Sequence, residues 1–501
     1  MKYLYIYLEK FKKNYFNTVI IFFIWSSLYV SLNTNFVTIF ILFENFNLIN
    51  TIKARSILVI ISFFLIIFFI FKHSVKLKNN FFYFILLFIL AIQSIYFFSE
   101  DFDLFEKISI INIYEKNLFS KLKYGLQLQA VQLFLSIFIS LFLIIIFNKK
   151  KNEDAFVFTF LCFLTIFCIF YICLLITSLP SHIYSDDILL YYNSFFAHEA
   201  QILTGEPAIK VTGVSRALLI ISLIFFFIYN LFSKNKYLKY IFLLLLILIN
   251  TSIILSGSRF ALYSLLISYS FLFLLLNRNI KEKIIFFLMI IIVPIVLFFS
   301  IGSILKVIQS NNEVKELIKN VEDPVLADSM KKNFLNKKNG KDGMKFLKDN
   351  RYIEQFSNTT GRVQIWKNAF EISKEKGNHF FGNGLNADRR LLVKYKNLYG
   401  TNTSNGILNI YLTSGILGLI LFFLANLIVL IKIYKLIFIK KCFLYFDKYY
   451  LTNLSIIITF VFYQRIIFEN SITSFGLDYL IYIMCCYFIL NKIKTINIFS
   501  K

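Results

Sequence analysis

Three arginines stand where small and polar residues interrupt an otherwise apolar chain. Arg259 follows Ser256, Gly257 and Ser258 in the stretch Leu255-Ser256-Gly257-Ser258-Arg259-Phe260-Ala261-Leu262. Arg216 lies in Thr212-Gly213-Val214-Ser215-Arg216-Ala217, and Arg362 in Thr360-Gly361-Arg362-Val363-Gln364-Ile365-Trp366. A guanidinium stays charged at any physiological pH, and its planar fork grips two oxygens of one anion. The small residues before Arg259 let a backbone turn come close to a ligand. The competing reading for Arg259 and Arg216 is an arginine that snorkels to lipid headgroups from the end of a span. Arg362 would open a helix, where its charge opposes the dipole, so helix stability does not explain it.

Other chemistry is poorly served. No Gly-rich phosphate loop with its lysine occurs, so nothing points to ATP-driven transport. No Cys/His cluster has zinc spacing, and neither a metal nor another cofactor is expected. Asp101-Phe102-Asp103 has the spacing of a nucleotide-sugar, metal-dependent transferase site but falls in a short acidic loop. His182, His198 and His379 are the histidines expected on the outward side, and His379, beside Gly382 and Gly384, reads as structural. Asp186, Asp187 and Glu199 are candidate bases in a loop whose acidity also fits simple solvation. Arg465 and Glu469 are four apart, the spacing of a same-face ion pair, and Asp478 begins the last apolar run.

What must position these groups is a set of apolar helices. Of the 501 residues 58% are hydrophobic, and the mean hydropathy is +0.70. Uncharged runs such as residues 284–301 have the length that crosses roughly 30 Å of hydrocarbon. Spans are expected near 15–32, 56–71, 81–98, 126–147, 155–179, 215–232, 241–255, 259–276, 284–305, 407–431, 451–467 and 476–490. The fold class is therefore all-α: a polytopic membrane protein of about 12 transmembrane helices with one large extracytoplasmic loop. Its parts are a membrane domain at 1–305, the loop at 306–406 and a second membrane portion at 407–501.

Charge sets the orientation. The net charge of +25 sits in lysine clusters between apolar runs, which the positive-inside rule explains without nucleic acid as a partner. Basic connections alternate with mixed or acidic ones along the chain. Both termini are expected in the cytoplasm of a bacterial inner membrane, with the basic N-terminus a cytoplasmic tail and the long loop outside. That loop carries nineteen Lys/Arg against eleven Asp/Glu, which suits an anionic ligand or anionic lipid headgroups. Within it, Thr359-Thr360-Gly361 can cap a helix over 362–376. Val363, Trp366, Ala369, Phe370 and Ser373 would then share one face, ready to pack on the membrane helices. The six cysteines lie in or beside apolar runs, so no disulfide framework is expected.

Three stretches together resemble the O-antigen ligase and polymerase superfamily. They are the serine-glycine turn into Arg259; Arg362 to Ala369 followed by Phe381-Gly382-Asn383-Gly384-Leu385; and Asn405 followed by Leu408, Ile410 and Gly415-Ile416-Leu417-Gly418-Leu419. The resemblance covers about residues 200–425. It implies a GT-C-like membrane glycosyltransferase whose substrate is a glycan linked through pyrophosphate to a polyprenyl lipid. It further implies that Arg259 and Arg216 act in catalysis on the departing pyrophosphate, with Arg362, Ser256, Ser258, Trp366, Asn405 and Ser404 binding substrate. Family ligases carry a histidine before the third-motif asparagine. Here that position is Ser404, which has no useful basicity near neutral pH, so the polymerase branch is favoured. The expected function is polymerisation of O-antigen or capsule repeat units, with membrane lipids and a chain-length regulator as partners. A ligase that transfers glycan to a lipid core or protein is the first alternative. A lipid-linked oligosaccharide flippase is the second, though no internal repeat appears and the long loop does not suit that design.

Overall fold

The structure is a computed structural model. It describes residues 81–94, 211–231, 236–255, 259–276, 279–297, 362–376, 378–385, 405–445, 449–467 and 477–491, together with positions 300, 387, 391 and 403 and short helical pieces within 19–28, 57–67, 135–141 and 157–172. Among the described residues helix dominates and no strand occurs. The main helices are α1 (Phe81–Ser94), α2 (Val211–Leu231), α3 (Lys236–Leu255), α4 (Arg259–Leu275), α5 (Ile280–Phe287), α6 (Arg362–Lys376), α7 (Gly406–Tyr434), α8 (Tyr450–Arg465) and α9 (Leu477–Asn491). The short helical pieces fall inside the expected first, second, fourth and fifth spans, and the longer helices agree with the later ones to within about five residues, save that the expected ninth, 284–305, is helical from Ile280 and lies mostly outside the described residues beyond 297. Two helical stretches, Tyr237–Ile254 and Gly406–Ile439, are long and apolar enough to cross a membrane. Phe81–Ser94, Ser215–Asn230, Phe260–Leu275 and Asp478–Asn491 are shorter apolar helices.

The chain divides into two compact units. One comprises Met1–Leu164, Gly361–Cys442 and Leu451–Ile498; the other comprises Thr165–Thr360, Phe443–Tyr450 and Phe499–Lys501.

The second unit contains α2 to α5. Helices that pass each other in an apolar medium gain little from the hydrophobic effect, so close packing and polar contacts must fix them. Here the polar contact is a buried chain of three side chains. Ser222 of α2 donates to Asn250 Oδ1 of α3 at 2.5 Å, which leaves the Tyr269 hydroxyl of α4 to donate to the Ser222 oxygen at 2.7 Å. Asn250 Nδ2 then donates to the carbonyl of Ile290 at 2.9 Å. Ile290 lies in the π-helical turn Leu288–Ile292 that continues α5. The wider π turn departs from the regular α ladder, and Asn250 takes up one of its carbonyls.

The first unit contains α1 and α6 to α9. Helix α9 is apolar on every side and buried on every side, with Leu480, Ile481, Ile483 and Met484 all fully covered. Helix α7 instead leaves one stripe open, through Ile416, Ile420, Phe423, Leu427, Leu430 and Tyr434, at steps of three and four residues. Tyr482 of α9 donates to Asn426 of α7 at 2.6 Å, so a hydrogen bond joins the two helices.

Candidate active site

In the unit that holds Arg216 and Arg259, Ser222 is the central contact between helices. Near-neighbour contacts run from Ser222–Asn250 through Phe225–Phe242 to Lys239 over Tyr229, so α2 and α3 are antiparallel. Only three residues separate α3 from α4, yet Tyr269, ten residues into α4, reaches the Ser222–Asn250 pair, five residues before the end of α3, so α4 runs back along α3 and parallel to α2. Ser222 meets Tyr269 across them. Arg216 lies six residues before Ser222, about 9 Å along the axis, and Arg259 ten before Tyr269, about 15 Å. Both arginines thus sit at the same N-terminal end of two parallel helices. Each terminus also presents the positive pole of its dipole and backbone N–H groups without intrahelical partners, the features that favour anions. Arg259 is the first residue of α4. Arg216 is half-buried, between the buried Ser215 and Ala217. Ser256 and Ser258 lie outside the described residues.

In the other unit the second and third motifs come together. Helix α6 covers Arg362–Lys376, the stretch expected from sequence; its capping residues 359–361 lie outside the described residues. The packed face differs from the expected one. Ile365, Ala369 and Ser373 are buried, whereas Val363 and Phe370 are about half exposed. Ile365 and Ala369 pack on Leu412 of α7, with Ile372, Leu408 and Tyr411 around them. The periodicity was right but the stripe is rotated: Ile365 and Ile372 replace Val363 and Phe370, because a single amphipathic helix does not say which edge of its apolar stripe meets the partner. Phe370 stacks on Tyr411 from the rim, ring centroids 5.8 Å apart.

Trp366 ties the motifs together. Its indole N–H donates to the carbonyl of Thr403 at 2.7 Å. Asn405 caps α7, its side-chain oxygen accepting from the Leu408 amide at 2.9 Å, while its Nδ2 donates to Ile467 at 2.9 Å. The Gly406 amide donates to Ile466 at 2.7 Å. The third motif is thereby fastened to the end of α8. Ser404 lies outside the described residues. Arg362 opens α6.

Beside this junction lies a buried charge pair. Arg465, the last residue of α8, is fully buried and pairs with Asp478 in the first turn of α9 at 2.5 Å. Its guanidinium also stands 5.3 Å from the centroid of the Phe462 ring. Glu469, the partner expected at i,i+4, lies outside the described residues; within them Asp478 is a carboxylate in contact with Arg465. Only the fold could reveal this, because the partners belong to different helices. Removing one partner of a buried pair strands the other charge, at about 3–5 kcal/mol, whereas replacing both with apolar residues is often nearly neutral. Asp478→Asn is expected to lower thermal stability markedly in detergent, and Arg465→Met with Asp478→Leu to recover most of it; equal melting of all three proteins would refute the pairing.

His379 is structural, as the sequence suggested. A backbone carbonyl can only accept, so Nε2 donates to Lys374 O at 2.8 Å. Nδ1 meets the Tyr411 hydroxyl at 2.7 Å, and in the neutral ring it accepts that proton. Both ring nitrogens are committed, and His379 has none left for a substrate.

Helix α7 is broken at Gly415. Gly415 has φ 66° and ψ −166° inside α7, so 406–414 and 416–434 are two helical segments. The polar groups released by the break are taken by the turn at 378–384. Asn383 and Gly384 donate to the carbonyls of Leu412 and Thr413, both at 2.9 Å, and Ile416 and Leu417 donate to those of His379 and Phe380 at 2.8 and 3.2 Å. Gly382 also has positive φ, 75°. A Cβ on Gly382 would run into the backbone of Ser414 and Gly415, and one on Gly415 into that of Phe380. From α1, Gln93 Nε2 donates to Ser414 at 2.7 Å and Thr413 at 3.2 Å.

The architecture is that of an all-α polytopic membrane protein. The family model described as O-antigen ligase matches residues 241–423, a segment that runs from α3 into α7 and includes Arg259, Arg362, Trp366 and Asn405. This match supports the O-antigen ligase/polymerase superfamily and glycosyl transfer in O-antigen assembly at a membrane, without separating polymerases from ligases. No curated protein and no solved structure matches the chain.

Proposed function

We propose that this protein is a repeat-unit polymerase that moves a glycan from its polyprenyl-pyrophosphate carrier to a sugar hydroxyl of another lipid-linked repeat unit. The observation that carries the reading is the pair Arg216 and Arg259 at one end of parallel helices, Arg259 within the segment that matches the O-antigen ligase model. The acceptor oxygen forms a bond to the anomeric carbon as the bond from that carbon to the pyrophosphate oxygen breaks. The electron pair leaves with the lipid pyrophosphate, and the proton of the acceptor hydroxyl passes to water or to the departing pyrophosphate. Negative charge grows on the leaving group, and preorganised cations are an effective way to stabilise it. Two guanidiniums and two helix N-termini supply that charge without a metal. Arg362, Trp366, Asn405 and Ser404 are proposed to contact the substrate from the loop side, with Ser256 and Ser258 at the turn before Arg259. The reaction is placed on the outer face of the bacterial inner membrane, in a chain of twelve spans with both termini inside and a chain-length regulator as an accessory partner.

A ligase is the second reading, because the matched family is described by that activity. Ser404, where ligases of the superfamily hold a histidine, favours the polymerase. The glycan profile of a deletion strain decides between them. Loss of polymerase leaves surface material capped by single repeat units. Loss of ligase leaves no attached glycan and accumulates lipid-linked chains. Normal long chains would overturn both.

A further inference from the structure

We propose that the Phe380–Phe381 turn is a lipid wedge: it inserts among the acyl chains of the leaflet on the Gly415 side of α7 and thereby fixes helix α6 at a set depth against the bilayer. This reading concerns membrane contact and does not depend on the transfer reaction.

The argument begins with depth. The 416–434 segment of α7 is about 28 Å long, close to the roughly 30 Å of bilayer hydrocarbon. Lys432 marks its far end, so the near end of the apolar core falls at the break beside Gly415. The open stripe of α7 begins there with Ile416 and Ile420, 45% and 59% exposed. In a helix of this length and composition that stripe faces lipid.

The turn is locked to the same depth. Four backbone hydrogen bonds join 379–384 to both sides of the break, and the two glycines interlock so closely that neither tolerates a Cβ. Asn378 Oδ1 accepts from the amides of Phe380 and Phe381 at 3.1 and 3.0 Å, which holds the turn's shape from its polar side. The two phenylalanines are left 55% and 41% exposed, edge to face with centroids 4.8 Å apart. Phe380 lies against the start of the lipid-facing stripe, since its carbonyl accepts from Leu417. An open aromatic pair of this kind belongs in an apolar medium, and the medium continuous with Ile416 is the bilayer.

The test uses the full chain in lipid nanodiscs, with Phe381→Trp compared against the parent protein so that the native Trp25 and Trp366 signals subtract. Lipids carry bromine near the headgroup end of the acyl chain, near its middle, or not at all. The added tryptophan is expected to emit at short wavelength, to lose most of its emission with bromine near the headgroup end, and to resist aqueous iodide. Quenching by iodide without quenching by bromine would overturn the wedge by placing the turn in water. Resistance to both quenchers would overturn it in favour of a protein cover, such as a second copy of the chain. Phe380→Trp repeats the measurement, and a photoreactive lipid on the wild-type protein guards against a misfolded variant: absence of cross-links at 380–381 would sink the idea on its own.

Discussion

Gly415→Ala is expected to cripple the protein's fold. Three effects add at one position. An alanine at φ 66°, ψ −166° enters backbone space that essentially only glycine occupies, at about 1–3 kcal/mol. Its Cβ has no room, because the backbone of Phe380 and the amide of Gly382 already occupy that space. Relief by separation breaks the four hydrogen bonds between the turn and the two halves of α7, each worth about 1 kcal/mol. The sum is at least about 4 kcal/mol, in the range where a single substitution unfolds a marginal domain. Gly382→Ala meets the same obstacle from the other side and is expected to match it. The readout is thermal unfolding in detergent and the amount of protein recovered from membranes. Ile420→Ala, on the open stripe, is the control and should change stability by no more than about 0.5 kcal/mol. A Gly415→Ala protein that melts with the wild type would show that the interlock is not present.

Arg259→Ala is expected to abolish long-chain polysaccharide while leaving protein abundance normal. Loss of one preorganised group that stabilises departing charge typically costs 10²–10³-fold in rate, about 2.7–4 kcal/mol. Arg259→Lys keeps the charge and loses the fork, so it should restore part of the activity but not all of it. Arg216→Ala is expected to fall in the same direction. If both arginines hold one pyrophosphate, the double substitution should cost less than the two single losses combined, since neighbours that share a partner are not additive. The measurement is transfer from a lipid-linked donor in vitro, alongside the chain-length profile of complemented deletion strains. Wild-type polymer from Arg259→Ala at normal abundance would remove the central role assigned to this residue.

Much of this was readable from residue order. The helix over 362–376 was legible because its polar flanks and apolar periodicity are local signals. The apolar helices α2 to α4 and α7 to α9 were legible because an uncharged run of the right length has few alternatives in a membrane. Which face of α6 is buried was not legible: Val363 and Phe370 are as apolar as Ile365 and Ile372, and only the shape of α7 chooses between them. The break in α7 was half legible. Gly415 and Gly418 stood out as a motif, yet nothing in the order of residues told that a turn thirty positions earlier would supply the missing hydrogen-bond partners.

The sequence by itself determined the medium and the helical class. Apolar run length and clustered lysines are properties of consecutive residues, and the bilayer reads them directly. It also singled out Arg259, Arg216 and Arg362 by type and context. Only the tertiary structure decided that Arg216 and Arg259 share one end of two parallel helices, that Arg465 answers to Asp478, and that the Phe380–Phe381 turn is pinned to the break in α7. Each of these joins residues distant in the chain, and such pairings follow from how helices pack, which single-residue preferences do not encode.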